Sequence, residues 1–299
     1  AGMIPGPAMA LQSPPASGAW PSNAAWKTIT CASAISYDPT NDAGGAQNER
    51  DIVGDATYPA AYYYTSEDYL FLRTRVEGSL VVNGGNGPLP QFGWAYGFDT
   101  NSNNSIYEWA WIVNGTSERL NLYRINSTTS ETLIQSYSPT VDATAGWVRS
   151  IAATSSNFGG GSDDYFLDIA IPLQDFASLT SIVGNQGSPP KAAFNPGRLV
   201  MWAATSANGT NLDKDFMCWD DNNGTPVLSA IAPDPIGIGG FAAISSPTAG
   251  QVYNTATPTI SGTATPSSTF NISDGTNTTT VTSDSAGDWT FNVPGGWNW

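Results

Sequence analysis

No histidine occurs anywhere in the 299 residues. That absence removes the Ser-His-Asp and Cys-His nucleophile systems, the HExxH zinc helix and His-ligated haem or copper. Only two cysteines are present, too few for a four-cysteine zinc or iron–sulfur site. Basic residues are scarce as well, ten Lys+Arg against 25 Asp+Glu, for a formal net charge of −15. They form no cluster, so the chain carries no electrostatic footprint for nucleic acid or an anionic membrane. No apolar run reaches the roughly 18 residues that a membrane helix needs. Charged residues of either sign make up only 12%, where soluble domains average about 25%.

What is present points to a folded β protein. Ser, Thr and Asn take over the polar surface, 31 Gly and 21 Pro supply turns, and 40% apolar residues with 11 Trp, 12 Tyr and 11 Phe suffice for a buried core. The N-terminus, AGMIPGPAMALQSPPASGAW, has no basic leader and is broken by Pro5, Pro7, Pro14 and Pro15, so it is not an intact signal peptide. Low lysine, high Thr/Asn/Gly content and acidity suit an exported protein from which a signal was removed, secreted to the extracellular space or cell surface. Cys31 and Cys218, 187 positions apart, are either a disulfide or two separate buried thiols. Export favours the disulfide, which in the chain-entropy model contributes about 4–5 kcal/mol. Seven Asn-X-Ser/Thr sequons occur, at Asn103, Asn114, Asn126, Asn208, Asn223, Asn271 and Asn277; they matter only in a host that glycosylates such sites.

Three pieces follow one another along the chain. Residues 1–25 are an extended Pro/Ala-rich arm, 26–240 a body of many short segments, and 241–299 a Thr-dominated tail beyond the joint PDPIGIGG. Period-2 alternation dominates the body. YLFLRTRV (69–76) sets Leu70, Leu72, Thr74 and Val76 against Tyr69, Phe71, Arg73 and Arg75. FGWAYGF (92–98) aligns Phe92, Trp94, Tyr96 and Phe98, and YEWAWIV (107–113) aligns Tyr107, Trp109, Trp111 and Val113. Further strands read at 119–125, 165–171 and 198–205, and PLQDFASL (172–179) reads as one helical turn. The expected fold is all-β, an antiparallel sandwich of about 200 residues plus a smaller β unit at the C-terminus.

Trp20 and Trp26, DPTNDAGG (38–45), DIVGD (51–55), AYYYTSEDYLFLRTRVEG (61–78), GFDTNSNNSIYEW (97–109) and FLDIAIPLQDF (166–176) together resemble the jelly-roll sandwiches of bacterial secreted proteins akin to family-nine carbohydrate-binding modules and the DOMON superfamily. The tail is similar to a bacterial Ig-like repeat, with PTISGTA (258–264) in the place of its strand B and GDWTF (287–291) in that of a later strand. Such repeats continue with a further hairpin, so 241–299 reads as an incomplete Ig-like domain. Its missing strands are expected either from a longer polypeptide or from another chain by β-augmentation.

Acidic, oxygen-rich loops are the candidates for chemistry, with calcium as the expected cofactor. Asp99, Asn101 and Asn103, with Glu108 beyond, alternate as in the first half of a calcium loop, although Asn104 and Ala110 depart from the EF-hand. Asp38, Asn41, Asp42, Asp51 and Asp55 resemble the acidic segment before the first long strand of the related sandwiches. Asp213, Asp215, Asp220, Asp221 and Asn222 form a third group. Ordinary turn capping by Asp and Asn is the plain alternative for each. Carboxylates at Asp163, Asp164, Asp220, Asp221, Glu108 and Asp168 raise a glycosidase reading, yet nothing in the sequence places two of them across a cleft, and no enzyme is expected. Trp94, Tyr96, Trp109 and Trp111 fit the core, whereas Tyr62, Tyr64 and Trp219 flank loops and are candidates to stack on sugars.

These features lead to a non-catalytic structural or adhesive protein of a bacterial surface layer, sheath or fibre. Its expected partners are copies of itself or neighbouring surface proteins, engaged through the N-terminal arm or the unfinished Ig-like domain. The alternative is a carbohydrate-binding module of a larger secreted polysaccharide-degrading enzyme, with glycans as partner.

Overall fold

The structure is a computed structural model. It describes residues 13–31, 34–35, 37–43, 47–66, 68–80, 89–99, 107–127, 130–138, 146–160, 163–173, 199–209, 211–219, 233–234, 236, 242–246, 257–264, 269–284 and 288–297. In chain order the strands are β1 (Lys27–Thr28), β2 (Thr30–Cys31), β3 (Ala34–Ile35), β4 (Ala61–Thr65), β5 (Tyr69–Val76), β6 (Gly93–Asp99), β7 (Trp109–Asn114), β8 (Arg119–Ser127) and β9 (Ser130–Tyr137). They continue as β10 (Val148–Ala153), β11 (Asp164–Pro172), β12 (Val200–Ser206), β13 (Asp215–Phe216), β14 (Ala242–Ser246), β15 (Thr259–Ala264), β16 (Thr269–Ser273), β17 (Thr278–Thr282) and β18 (Asp288–Asn292). Among the described residues no helix is long and apolar enough to cross a membrane.

The body is an all-β sandwich of two antiparallel sheets, one five-stranded (β1-β4-β5-β11-β10) and one six-stranded (β13-β12-β6-β7-β8-β9). Local turn chemistry sets its hairpins. Between β4 and β5 the Ser66 hydroxyl accepts the amides of Asp68 and Tyr69. Between β7 and β8 the Asn114 carboxamide accepts those of Thr116 and Ser117. Leu70, Leu72, Leu167 and Ile169 of one sheet meet Trp94, Tyr96, Trp109 and Trp111 of the other in the main core. The Tyr96 hydroxyl ties the layers together, accepting from Thr74 and donating to the Leu167 carbonyl.

Tyr107 departs from the alternation. It precedes β7 and packs with the second cluster, on the other side of the six-stranded sheet, where its ring lies against Gly97. That cluster comprises Ala95, Ala110, Ile112, Val200, Trp202 and neighbours. The helical turn expected over 172–179 falls, from 174 onwards, outside the described residues.

Both faces of β5 are buried, which alternation alone does not require. Phe71, Arg73 and Arg75 lie on the face opposite Leu70 and Leu72, yet each is almost fully buried. Residues 13–25, the second half of the expected arm, lie with Trp26 on this face through two short 3-10 turns. Asp168 accepts two bonds from Arg73 (2.6 and 2.8 Å) and a third from Arg149 (2.7 Å). Trp26 and Phe166 sandwich the Arg73 guanidinium at 4.3 and 4.2 Å, and Trp20 stacks on Arg149 at 4.6 Å. The two tryptophans of the W-x5-W spacing therefore roof a buried Arg–Asp–Arg triad.

The C-terminal residues form a three-stranded sheet (β14-β15-β18) and a separate hairpin (β16-β17). Asp274 accepts the amides of Thr276 and Asn277 in the hairpin turn, where Gly275 takes φ +89°. Ile260, Ala264, Val281, Trp289 and Val293 make a small core of their own. Cys31 and Cys218 form the disulfide, closing the body over 187 residues with Cα atoms 6.5 Å apart. Beside it, Cys31 bridges Pro233, and Thr30 bonds Asp234 through both backbone and side chain.

Candidate functional site

A concentration of buried carboxylates sits beside the disulfide. Asp38 forms a two-bond antiparallel bridge with Gly54, N–H to carbonyl in both directions at 3.0 and 2.9 Å. Gly54 is required by crowding, since a Cβ there would lie 2.4 Å from the Ala60 nitrogen. The 51–54 segment in turn follows the end of β5, through Val53 N–H to the Arg75 carbonyl and Glu77 N–H to the Asp51 carbonyl. Within the 38–43 loop Asn41 takes φ +67°, a left-handed conformation that Asn tolerates better than most residues. The Asp51 carboxylate holds this loop by accepting the amides of Asn41 (2.7 Å) and Ala43 (3.1 Å).

Asp215 arrives from the other sheet, on β13. Its carboxylate accepts the amides of Ile52 (2.5 Å) and Phe216 (2.7 Å). The outcome is that one carboxylate oxygen from each of Asp38, Asp42 and Asp215 lies within 4.8 Å of the others. All three residues are buried, at 1%, 5% and 4% exposure. Neither oxygen of Asp38 meets a side-chain donor, and the backbone amide of Trp219 is what favours its charged form. Among the described residues no ion pair reaches Asp38, Asp51 or Asp215.

The electrostatic consequence follows. Burial, reinforced by the charges of Asp215, Asp42 and Asp51 and partly offset by the Trp219 backbone amide, pushes the Asp38 carboxyl well above the usual range. Burial does the same to Asp215, with Asp42 and Asp51 adding and the Ile52 and Phe216 amides partly offsetting. Alongside, Asn41, Ala43, Gln47, Asn48, Asp51 and Glu77 line a pocket of about 110 Å³. Glu77 is raised to about 7 by burial, by a hydrogen bond shared with Asp51 and by the charges of Asp51 and Asp164. The pocket has room for an ion and a few waters; pockets that take drug-sized ligands measure roughly 300 Å³ or more.

The second and third acidic groups of the sequence thus meet in one place, through Asp38, Asp42, Asp51 and Asp215. Asp55 stays apart, its carboxylate accepting the amides of Thr57 and Tyr58 in a local turn. Asp213 is exposed and pairs with Lys214. Asp220, Asp221 and Asn222 lie outside the described residues, as do Asn101 and Asn103 of the first loop. The remaining members of that loop, Asp99 and Glu108, are buried at the ends of β6 and β7. Glu77 was not among the sequence candidates, and its only signal there was a carboxylate directly after a long strand.

Of the carboxylates weighed for acid–base work, Asp168 is locked in the arginine triad and Asp163 is exposed. Asp164 accepts the Phe158 amide and faces Arg75 at 3.9 Å. Tyr62 accepts a bond from Arg75 and meets Phe166 edge-on, Tyr64 packs on Phe71, and Trp219 rests half-buried on the second cluster. Tyr62 and Tyr64 belong to the five-stranded sheet, whereas Trp219 follows β13 of the six-stranded one. No family model matches the chain, and neither a curated protein nor a solved structure matches it.

Proposed function

We propose that this is an extracellular, non-catalytic structural or adhesive protein of a bacterial surface assembly, a layer, sheath or fibre. The observation that carries the reading is the cross-linking built into the body. The Cys31–Cys218 disulfide joins segments 187 residues apart, and the Arg73–Asp168–Arg149 triad fastens three strands under a tryptophan roof. A disulfide of this span suits an oxidising compartment, and such fastening favours a part that bears load. The smaller β unit supports the assembly role. Among the described residues β14 and β18 are the outer strands of their sheet and β16-β17 a hairpin hydrogen-bonded to no other strand, so strand edges are available for pairing with another chain.

A carbohydrate-binding module is the second reading, favoured by Tyr62 and Tyr64, half-buried neighbours on one face of β4. Negative-stain electron microscopy and a glycan array on the same preparation separate the two. Ordered polymers without glycan signal are expected. Discrete monomers that bind a glycan, and lose it in a Tyr62→Ala/Tyr64→Ala variant, would overturn the scaffold reading.

A further inference from the structure

We infer that Asp38, Asp42 and Asp215 form a calcium site that clamps the two sheets of the body together next to the disulfide. Three acids in proximity would not by themselves make a site. The deciding feature is Asp38, which is 1% exposed and directed at the other two carboxylates, with no side-chain donor on either oxygen and only the Trp219 backbone amide favouring its charge. Its backbone cannot swing it elsewhere, because both peptide groups are spent on Gly54. A buried carboxylate that faces two others, with a single backbone amide, that of Trp219, favouring its charge, still calls for a cation or a proton.

The donors select the cation. They are all carboxylate oxygens, the chain has no histidine, and both cysteines are in the disulfide, which favours a hard ion over zinc or copper. Oxygens bound to one calcium ion at about 2.3–2.6 Å stand at most about 5.2 Å apart, and the three here lie within 4.8 Å of one another. Calcium also accepts the irregular, carboxylate-rich geometry of such a cluster, whereas magnesium demands a near-ideal octahedron and keeps several waters. Asp215 retains acceptor capacity on each oxygen after taking one amide apiece, and those amides fix its orientation. Asp51 is a positioning residue: it shapes the turn that carries Asp42.

The location gives the ion its role. Cys218, three residues after Asp215, donates its backbone N–H to the carbonyl of Tyr37, the residue before Asp38. Cation and disulfide therefore clamp the same two segments, one by charge and one covalently. The inference stands apart from the surface-assembly reading, since a monomeric protein could hold the ion and a polymer could lack it.

The test uses the full chain at pH 7.5, stripped with EDTA and then given 1 mM CaCl2 or 1 mM MgCl2. Calcium at about a hundredfold excess over its dissociation constant is expected to raise the melting temperature by about 5–10 °C, and magnesium by less. Asp38→Asn keeps the shape of the protonated acid and should lose that increment. If the variant does not fold, terbium titration of the wild type decides: tryptophan-sensitised emission saturating at one ion and displaced by calcium is expected. A wild-type melting temperature within 1 °C in EDTA and calcium, with no displaceable terbium emission, would overturn the site and leave shared protons as what holds the cluster. An equal calcium increment in Asp38→Asn would overturn it too, by placing the ion elsewhere.

Discussion

Asp168 shows how a single side chain can hold a face together. It is fully buried and accepts three charge-assisted bonds, from Arg73 and Arg149, so removing it strands two guanidinium groups under aromatic rings. Breaking a buried pair from one side costs about 3–5 kcal/mol, because the remaining charge is left uncompensated. Asp168→Ala should therefore lower unfolding stability by about that amount in urea titrations. Arg149→Ala should cost roughly 1–3 kcal/mol, since Arg149 is 22% exposed and Arg73 keeps its two bonds to Asp168. Equal losses in the two variants would mean that the two Arg73 bonds do not hold Asp168 in place without Arg149. Arg73 and Asp168 were visible in the sequence as strand residues, whereas Arg149 lies on β10, over which no strand was read. The triad's roof was not visible, because Trp20 and Trp26 reach Arg149 and Arg73 only after the chain has crossed several strands.

At the scale of elements, β5, β6 and β11 were legible because alternation of apolar and polar or small residues is a local signal that survives folding. Tyr107 was misread for the converse reason: alternation extrapolated past the end of a strand assigns a side, but the backbone before Trp109 no longer follows the pleat. The candidate site was legible in halves. Asp38, Asp42 and Asp51 stood out as an acidic run, yet Asp55 of the same run caps its own turn, and no local signal separates the two fates. Asp215 joins them only because β13 pairs with β12 at the edge of the other sheet. The same juncture carries the disulfide, and its removal is the test of that juncture. Closing a loop of this length is worth about 5 kcal/mol in the chain-entropy model. A Cys31→Ser/Cys218→Ser variant should lose about that much in urea unfolding with calcium held constant. A loss below about 1 kcal/mol would show that the neighbouring contacts, Thr30 to Asp234 and Cys31 to Pro233, already confine these segments.

Across the whole molecule, a net charge of −15 makes protonation favourable to the compact state, and Glu77 gives that tendency a specific pH window. Its carboxyl is raised from the ordinary 4.5 to about 7 in the folded protein, so the native state holds a proton that the unfolded chain releases. For a raised acid, the stabilisation is complete below the unfolded value and disappears as pH climbs through the folded one. Stability should therefore fall between about pH 5 and pH 8. Calcium is kept saturating throughout, so that the Asp38–Asp42–Asp215 carboxylates do not contribute to the slope. Glu77→Gln isolates the remaining term, because a glutamine carbonyl still accepts from the Asn48 side chain, as Glu77 does at 2.8 Å. Its amide can also donate toward Asp51 without adding charge. The variant should match the wild type near pH 5 and exceed it at pH 8, with the two melting curves diverging around neutrality. Parallel pH profiles for the two proteins would mean that Glu77 is ionised throughout, and that the acid dependence belongs to the overall charge rather than to this pocket.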